Sequence, residues 1–237
     1  MKIGILMCGH TIPDVVDKHG DYDGMFAQLL SGYDLTFQAY DVENMDFPSG
    51  AGDADGWLIS GSKHGVYEDH PFIAPLEDLI REAHDQKIPM VGICFGHQII
   101  AQALGGQVEK FSGGWAVGRQ EYAFDTLGAM HLNAWHQDQV ITPPQGASTA
   151  ASNDFCAHAA LTYGDHIFTI QPHPEFSGDL IRDYVHLRRD GPGGYPPALM
   201  DRALAKADKP NDEAVVAGEI ARFLLAAHAA RAEVTHG

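Results

Sequence analysis

The sequence predicts an α/β fold with an open, mostly parallel central sheet flanked by helices. Through the first half of the chain, short apolar strand patterns alternate with helical patterns, which is typical of parallel strands joined by helical crossovers. In the second half, short strand patterns separated by turns follow one another, and we expect these to add antiparallel hairpins to the sheet. The length of 237 residues is ample for a buried core.

The elements of the first half follow from periodicity and capping. Apolar runs predict strands at Lys2–Met7, Asp34–Tyr40, Gly56–Ser60 and Pro89–Ile93. Helical spacing predicts helices at Tyr22–Leu30, Phe72–Gln86 and about Gly96–Leu104. Asp21 stands before the first helix, where a carboxylate accepts hydrogen bonds from free N–H groups. We therefore interpret Asp21–Gly24 as a helix cap, although it resembles a fragment of a calcium loop.

The second half adds short strands and then helices. The predicted strands are Gln107–Phe111, Arg119–Phe124, Ser148–Ser152, Ala157–Leu161 and His166–Ile170. The predicted helices are Gly178–Arg189, Pro197–Ala207 and Asp212–Arg231. The stretch Asp190–Pro197 is rich in Gly and Pro, which indicates a junction before a helical tail.

The segment Gly92–Gln98 places a cysteine between two glycines, directly after the apolar run Ile88–Ile93. A nucleophile at a sharp strand-to-helix turn needs small residues two positions away on each side, and Gly92 and Gly96 meet that need. The first amides of the following helix would point at the sulfur and favour the thiolate. Cys94 is therefore predicted to be a nucleophile, the alternative being a small buried apolar residue.

A cysteine nucleophile needs a base, and the segment Gln171–Glu175 offers one. His173 and Glu175 are two residues apart after a strand-like run, so an extended backbone would place them on the same side. Glu175 would then hold one ring nitrogen while the other faces the thiol. His97, three positions after Cys94, is an alternative base, but local packing is the simpler interpretation.

With these two motifs the sequence resembles the class I glutamine amidotransferase family, whose members carry a G-x-C-x-G-x-Q elbow and a later His-Pro-Glu. Trp57–Ser62 resembles the family's oxyanion strand and loop, and Trp135–Asp138 resembles its substrate-binding segment. The resemblance covers about residues 1–180 and implies a flavodoxin-like fold. It also implies a role for each matching residue: Cys94, His173 and Glu175 as the catalytic triad, Gly61 and Phe95 as oxyanion-hole amides, and Gln98, Trp135, His136 and Gln137 as substrate-binding residues.

The implied activity is cysteine-dependent cleavage of a γ-glutamyl amide, which converts glutamine to glutamate and ammonia through a thioester on Cys94. Stand-alone γ-glutamyl peptidases of the same family also resemble the chain around Ile59–Ser62 and Gly92–Gln98, so cleavage of glutathione-like conjugates is the alternative. A catalytically silent binding protein is a third hypothesis, which the complete set of three catalytic side chains disfavours.

The resemblance also bears on domains and partners. Residues 1–190 would form the catalytic domain, and residues 191–237 would form a helical extension packed on the same domain. Too few residues follow Glu175 for a nucleotide-activating domain, so we expect a separate synthetase subunit or a protein that acts alone. The last predicted helix is amphipathic, which suits either a cover for the sheet or a homodimer contact.

Composition excludes several classes of partner. The formal net charge of −17 argues against binding to nucleic acid or to anionic lipid. The apolar run Ile3–Cys8 is too short for a signal core, and no apolar segment is long enough to span a membrane, so we expect a cytoplasmic protein. The family resemblance implies a small-molecule substrate, glutamine or a γ-glutamyl compound.

No cofactor and no metal site is predicted. Fourteen histidines is a high count, but His64 with His70 and His84 with His97 lack the spacing of helical ligand pairs. The segment Ser60–Lys63 lacks the spacing of a phosphate-binding loop.

Overall fold

A nine-stranded sheet forms the centre of the structure, a computed structural model that describes residues 1–191 and 194–236. The described strands are β1 (Lys2–Leu6), β2 (Thr36–Tyr40), β3 (Gly56–Ile59), β4 (Met90–Ile93), β5 (Gln107–Lys110), β6 (Ala116–Phe124), β7 (Gly128–His136), β8 (Asp138–Thr142), β9 (Ala147–Ser152), β10 (Ala160–Tyr163) and β11 (Ile167–Ile170). The described α-helices are α1 (Pro13–His19), α2 (Tyr22–Leu29), α3 (Ile73–Asp85), α4 (Phe95–Ala103), α5 (Gly178–Arg188), α6 (Pro197–Lys206) and α7 (Glu213–His236). Residues 192 and 193 of the Gly/Pro junction, and residue 237, lie outside the described residues.

The strand order is β2-β1-β3-β4-β11-β10-β9-β6-β7. The first five of these strands are mutually parallel, and β10, β9, β6 and β7 are added in antiparallel pairs. The predicted α/β class, with a parallel centre and added hairpins, is confirmed.

Side chains alternate between two apolar clusters, one on each face of the parallel strands. Leu58 and Val91 belong to the cluster shared with α2, α5, α6 and α7. Trp57 and Met90 belong to the cluster shared with α3 and α4. Every residue of β3, β4 and β11 is buried, because helices cover both faces, and this is why these strands appear in the sequence as uninterrupted apolar runs.

Several predicted elements are wrong or missing. The strands β7 and β8 and the helix α1 were not predicted, and the strand predicted at Ala157–Leu161 lies at Ala160–Tyr163. The strand β5 pairs with β8 in a separate two-stranded sheet instead of joining the central one. The strand β7 lacks a clear apolar alternation because polar residues such as His131 and Asn133 occupy it.

The last helices pack on the sheet, α7 on its parallel half and α6 on its antiparallel half. A stripe on α7 at helical spacing is buried in the same cluster as Ile3 and Ile5 of β1; its members are Val216, Ala217, Ile220, Ala221 and Leu224. On α6, Ala203 lies against Gly118 of β6. No helix in the described ranges is long and apolar enough to cross a membrane.

Parallel strands bring their carboxyl ends to the same edge of a sheet, and three of them meet at its centre. The strand β4 lies between β3 and β11, with Gly92 paired to Ile59 and Ile93 paired to Ile170. The segments that follow these three strands contain Gly61, Cys94 and His173. The topology therefore gathers the predicted oxyanion, nucleophile and base positions at one edge.

The contact between α5 and α6 gives a test of how the C-terminal helices are docked. A Cβ atom on Gly178, the first residue of α5, would lie 1.9 Å from the carbonyl oxygen of Ala207. We expect Gly178→Ala to lower the free energy of unfolding by about 1–3 kcal/mol, measured by urea denaturation. Gly24→Ala is the matched control: a Cβ there meets nothing within 4 Å, so this helical alanine should raise stability by about 0.5–1 kcal/mol. Equal effects of the two substitutions would contradict this packing.

Candidate active site

The turn between β4 and α4 holds Cys94 in a strained backbone conformation. Its φ of 54° and ψ of −101° place a non-glycine residue at positive φ, as expected for a side chain mounted on a sharp elbow. The turn is anchored to both neighbouring strands, since the Cys94 N–H donates to Ile170 O at 2.9 Å and the Gly96 N–H donates to Ser60 O at 3.1 Å.

The two glycines of the elbow are required by close backbone contacts. A Cβ on Gly96 would lie 2.2 Å from Ile59 O, and a Cβ on Gly92 would lie 2.5 Å from the carbonyl of Gly96. These contacts explain why small residues are needed on both sides of Cys94, because the neighbouring backbone atoms cannot move aside.

His173 and Glu175 form a buried pair after β11. Nδ1 of His173 lies 2.6 Å from Oε1 of Glu175, and both side chains are almost completely buried. The His173 N–H donates to Asn133 O of β7 at 2.8 Å, and the ring of Phe176 stacks on the imidazole with centroids 4.0 Å apart. These contacts fix both the position and the tilt of the imidazole.

The proton on His173 is held by its neighbours. Burial would lower the pKa of the imidazole, but the charges of Glu175 and Cys94, with hydrogen bonds to both side chains, outweigh it and raise the pKa from 6.5 to about 10. Since Nδ1 is engaged by Glu175, Nε2 is the nitrogen that faces the thiol. The protonated form contributes fully to stability below about pH 6.5, and this contribution is lost as the pH rises through about 10.

The two predicted oxyanion residues follow neighbouring strands, Gly61 after β3 and Phe95 after β4. Phe95 is the first residue of α4, so its N–H has no acceptor within the helix. Gly61 lies against the predicted base, because a Cβ on it would be 3.0 Å from Cε1 of His173 and 2.9 Å from the hydroxyl of Tyr22.

The predicted substrate-binding residues lie on α4 and at the end of β7. Nε2 of Gln98 donates to Asp138 O at 2.8 Å and to Oε1 of Gln171 at 3.1 Å. Nε2 of Gln137 donates to Phe111 O at 3.2 Å. These contacts connect both amides to fixed backbone atoms.

His136 has a ring nitrogen, Nε2, that can accept a hydrogen bond. Burial lowers the pKa of its imidazole to about 3, so the ring is neutral at physiological pH. Its Nδ1 lies 3.2 Å from Asp138 O and must donate to that carbonyl. Its Nε2 is then an acceptor, and this buried atom has no partner among the described residues.

These side chains border a cavity of about 330 Å³. The predicted site residues on its wall are Cys94, Gln98, Trp135, His136, Gln137 and His173. Glu175 lies behind His173, whose other ring nitrogen faces the cavity.

Several residues of the wall were not predicted. They are mainly aromatic or charged and include Tyr22, Lys110, Trp115, Phe176, Tyr184, Arg188 and Tyr195. Phe176 directly follows the His-Pro-Glu motif, so adjacency to a motif was a usable signal for it. Asp138, the last residue of the segment Trp135–Asp138, also lies on the wall. Tyr195 reaches the wall from the segment before α6, and no local pattern indicates such a contact.

His97, the alternative base, lies in the protein interior and not on the wall of the cavity. Its Nδ1 lies 2.8 Å from the hydroxyl of Thr169, and burial lowers the pKa of its imidazole to about 3. The ring is fully buried in the packing between α4 and β11.

The comparison with family models decides between the families that could carry such an elbow. Residues 15–185 match the model of the class I glutamine amidotransferases. The chain belongs to this family. The predicted resemblance is thereby confirmed for most of the chain.

Two relatives of this chain are named as different kinds of enzyme. The chain is 29% identical to γ-glutamyl peptidase 4 of Arabidopsis thaliana, over 70% of this chain and 72% of that protein. It is 31% identical to one subunit of the glutamine-hydrolyzing GMP synthase of Halobacterium salinarum, over 68% of this chain and 87% of that one. A solved glutamine amidotransferase from Methylobacillus flagellatus superimposes with a TM-score of 0.73 at 20% identity, covering 97% of this chain and 94% of the other. This last likeness confirms the fold.

The charge of Glu175 accounts for much of the proton affinity of His173, which an NMR titration can test. Glu175→Gln keeps the shape of the side chain and removes its charge, so we expect the pKa of His173 to fall from about 10 by about one unit or more, each unit being about 1.4 kcal/mol. Glu109→Gln, at an exposed position on β5, is the control and should leave that pKa unchanged. A titration of His173 that is the same in Glu175→Gln as in the parent would refute the assignment.

Proposed function

We propose that the protein hydrolyses a γ-glutamyl amide through a thioester on Cys94, with glutamine as the reference substrate. The observation that carries this proposal is the arrangement of Cys94 on a strained elbow beside a His173–Glu175 pair, at the wall of a cavity. Acyl transfer by a cysteine requires a thiolate, a proton donor for the leaving nitrogen and stabilisation of the oxyanion, and each of these has a candidate group at this edge of the sheet.

In the first half of the reaction the Cys94 thiolate attacks the side-chain carbonyl carbon of the substrate. Negative charge develops on the carbonyl oxygen, where the N–H groups of Gly61 and Phe95 would donate; one such donor typically contributes about 3 kcal/mol. His173 protonates the departing nitrogen, and the carbon–nitrogen bond breaks. The raised pKa of His173 keeps that proton available at neutral pH.

In the second half water hydrolyses the thioester. Once Cys94 is acylated, its negative charge is gone, and one of the causes that raise the pKa of His173 disappears. The imidazole, which gave its proton to the departing nitrogen, therefore stays neutral and serves as the base that takes a proton from water. Glutamate leaves, and the thiolate–imidazolium pair is restored.

The substrate groups that do not react would be held by the rest of the wall. The acceptor nitrogen of His136 suits an ammonium donor on the glutamyl group. Lys110 and Arg188 line the same cavity and suit carboxylates. A γ-glutamyl group carries both kinds of charge.

A γ-glutamyl peptidase is the second candidate, and the size and lining of the cavity favour it. A volume of about 330 Å³ falls within the range of pockets that hold drug-sized ligands, so it offers room for a leaving group larger than ammonia. The ring centroid of Tyr195 lies 4.6 Å from that of Trp115 and 5.5 Å from that of Trp135, and these three rings would pack against such a group. In the first candidate function, a glutamine amidotransferase, the ammonia would pass to a separate synthetase subunit. The likeness of this chain to one subunit of a GMP synthase supports that function.

Glutamate release by the purified chain tests these proposals. The rates of glutamate release from glutamine and from glutathione are compared, each with and without the synthetase component of a GMP synthase. We expect Cys94→Ala to lower kcat by roughly 10⁴-fold or more. Turnover of glutathione by the chain alone would establish the peptidase, whereas turnover of glutamine alone, or only with the synthetase present, would establish the amidotransferase. Activity that survives in Cys94→Ala would refute the mechanism.

Tyr195 gives a test of the aromatic wall. The Trp135 Nε1–H donates to its hydroxyl at 3.1 Å, so Tyr195→Ala removes both a ring and the partner of Trp135. We expect kcat/KM for a bulky γ-glutamyl conjugate to fall about tenfold, equivalent to about 1.4 kcal/mol, with a smaller change for glutamine. The surface variant Tyr33→Ala is the control and should change neither value. Equal losses on both substrates would assign Tyr195 a structural role instead.

A further inference from the structure

Three side chains with metal-binding atoms lie together in the loop between β3 and α3. His64, Glu68 and His70 each offer one donor atom, and these atoms all lie within 4.8 Å of one another. Nε2 of His70 is 2.9 Å from Oε2 of Glu68, and Nδ1 of His64 is 3.7 Å from the same oxygen. Ligands of a tetrahedral zinc ion at bond lengths of about 2.0–2.1 Å lie about 3.3 Å apart. The two separations from Glu68 lie on both sides of that value, and no two of the three donor atoms are more than 4.8 Å apart, so side-chain rotation would bring all three within reach of one ion.

The backbone of the loop holds the three residues in this arrangement. The His64 N–H donates to Oγ of Ser62 at 3.1 Å, which fixes the start of the loop. The Glu68 N–H donates to Gly65 O at 3.1 Å, and the His70 N–H donates to Glu68 O at 3.0 Å. Two successive turns therefore bring the three side chains together, and this is why no helical ligand spacing appears in the sequence.

A carboxylate behind His64 orients its ring. Nε2 of His64 lies 2.9 Å from Oε1 of Glu43, which also accepts from Lys63 at 2.9 Å. If Nε2 carries the proton, Nδ1 presents its lone pair on the side of Glu68. Metal-binding histidines commonly donate their other N–H to a carboxylate in this way, which raises the basicity of the ligating nitrogen.

The surroundings of the cluster also suit an ion. Phe72 packs against both imidazoles, with centroids 5.8 Å from His64 and 5.9 Å from His70, and provides an apolar backing. Glu68 and His70 are partly exposed, which leaves a path for entry. Two imidazoles and a carboxylate form a donor set that suits Zn²⁺ and neighbouring transition metals.

We propose that His64, Glu68 and His70 bind a divalent transition-metal ion, for which Zn²⁺ is the probe, and that Glu43 acts as a positioning residue. Three protein ligands leave a coordination position for water or another ligand. His64 and Glu68 line the same cavity as Cys94, so the ion would lie in the cavity wall and add positive charge there.

Zinc affinity, measured by competition with a chromophoric chelator, tests the site. All variants are built on Cys94→Ala, since that substitution removes the thiolate as a competing ligand. We expect one tightly bound Zn²⁺ per chain, at least about 100-fold weaker binding in His64→Ala/His70→Ala, and about 10–100-fold weaker binding in Glu43→Gln. His186→Ala, at an exposed histidine on α5, is the control and should bind like the parent.

Two further measurements keep the outcome decisive. Circular dichroism and the metal-free Tm of each variant establish that it is folded, and visible absorption of the Co²⁺ form should lose its four-coordinate signature in the double variant. Zinc binding by His64→Ala/His70→Ala with the affinity of the parent, or no stoichiometric binding by the parent, would overturn the proposal. Because these readouts need no turnover, they leave the proposed hydrolysis to be judged by its own assay.

Discussion

The close approach of the turn after β4 to the end of β3 is the constraint on which the proposed active site depends. Gly96 lies so near Ile59 O that no side chain fits, and this lets its N–H reach Ser60 O while Cys94 N–H reaches Ile170 O. One turn is thus bonded to the strands on both of its sides. The left-handed backbone at Cys94 is unfavourable by itself, and these contacts with two fully buried strands maintain it.

The proposed chemistry depends on where one proton resides. Burial opposes a charged imidazole, but the interactions of His173 with Glu175 and with Cys94 outweigh it and raise the pKa of the imidazole. His173 is further held by the backbone of Asn133, whose own side chain donates to Phe176 O at 2.7 Å. The antiparallel strands therefore do more than extend the sheet, since β7 returns to brace the residue that follows β11.

The sequence predicted the features that are determined by residues close together in the chain, and it missed those that depend on residues far apart. The elbow, the parallel strands and the His173–Glu175 pair are encoded within a few residues each, and their predictions agree with the structure. The strand β7 was not predicted because it contains a buried polar residue, Asn133. The side chain of Asn133 donates a hydrogen bond to the carbonyl oxygen of Phe176, which is distant in sequence. Two further features were not predicted, the place of Tyr195 in the cavity wall and the cluster of His64, Glu68 and His70. The first depends on how α6 docks and the second on the path of a loop, and neither leaves a periodic pattern in the sequence.

The placement of Tyr195 has a consequence for how such proteins diversify. The proposed nucleophile and base follow strands at the centre of the sheet, whereas part of the wall that would meet a leaving group comes from the segment before α6, in the last fifth of the sequence. Changes there can alter which amine is released without disturbing the buried elbow. If the proposed roles hold, selectivity and reactivity are encoded in separable parts of the gene. A recombination that exchanges the segment from Tyr195 onwards could then change the substrate range and leave the elbow and the His173–Glu175 pair intact.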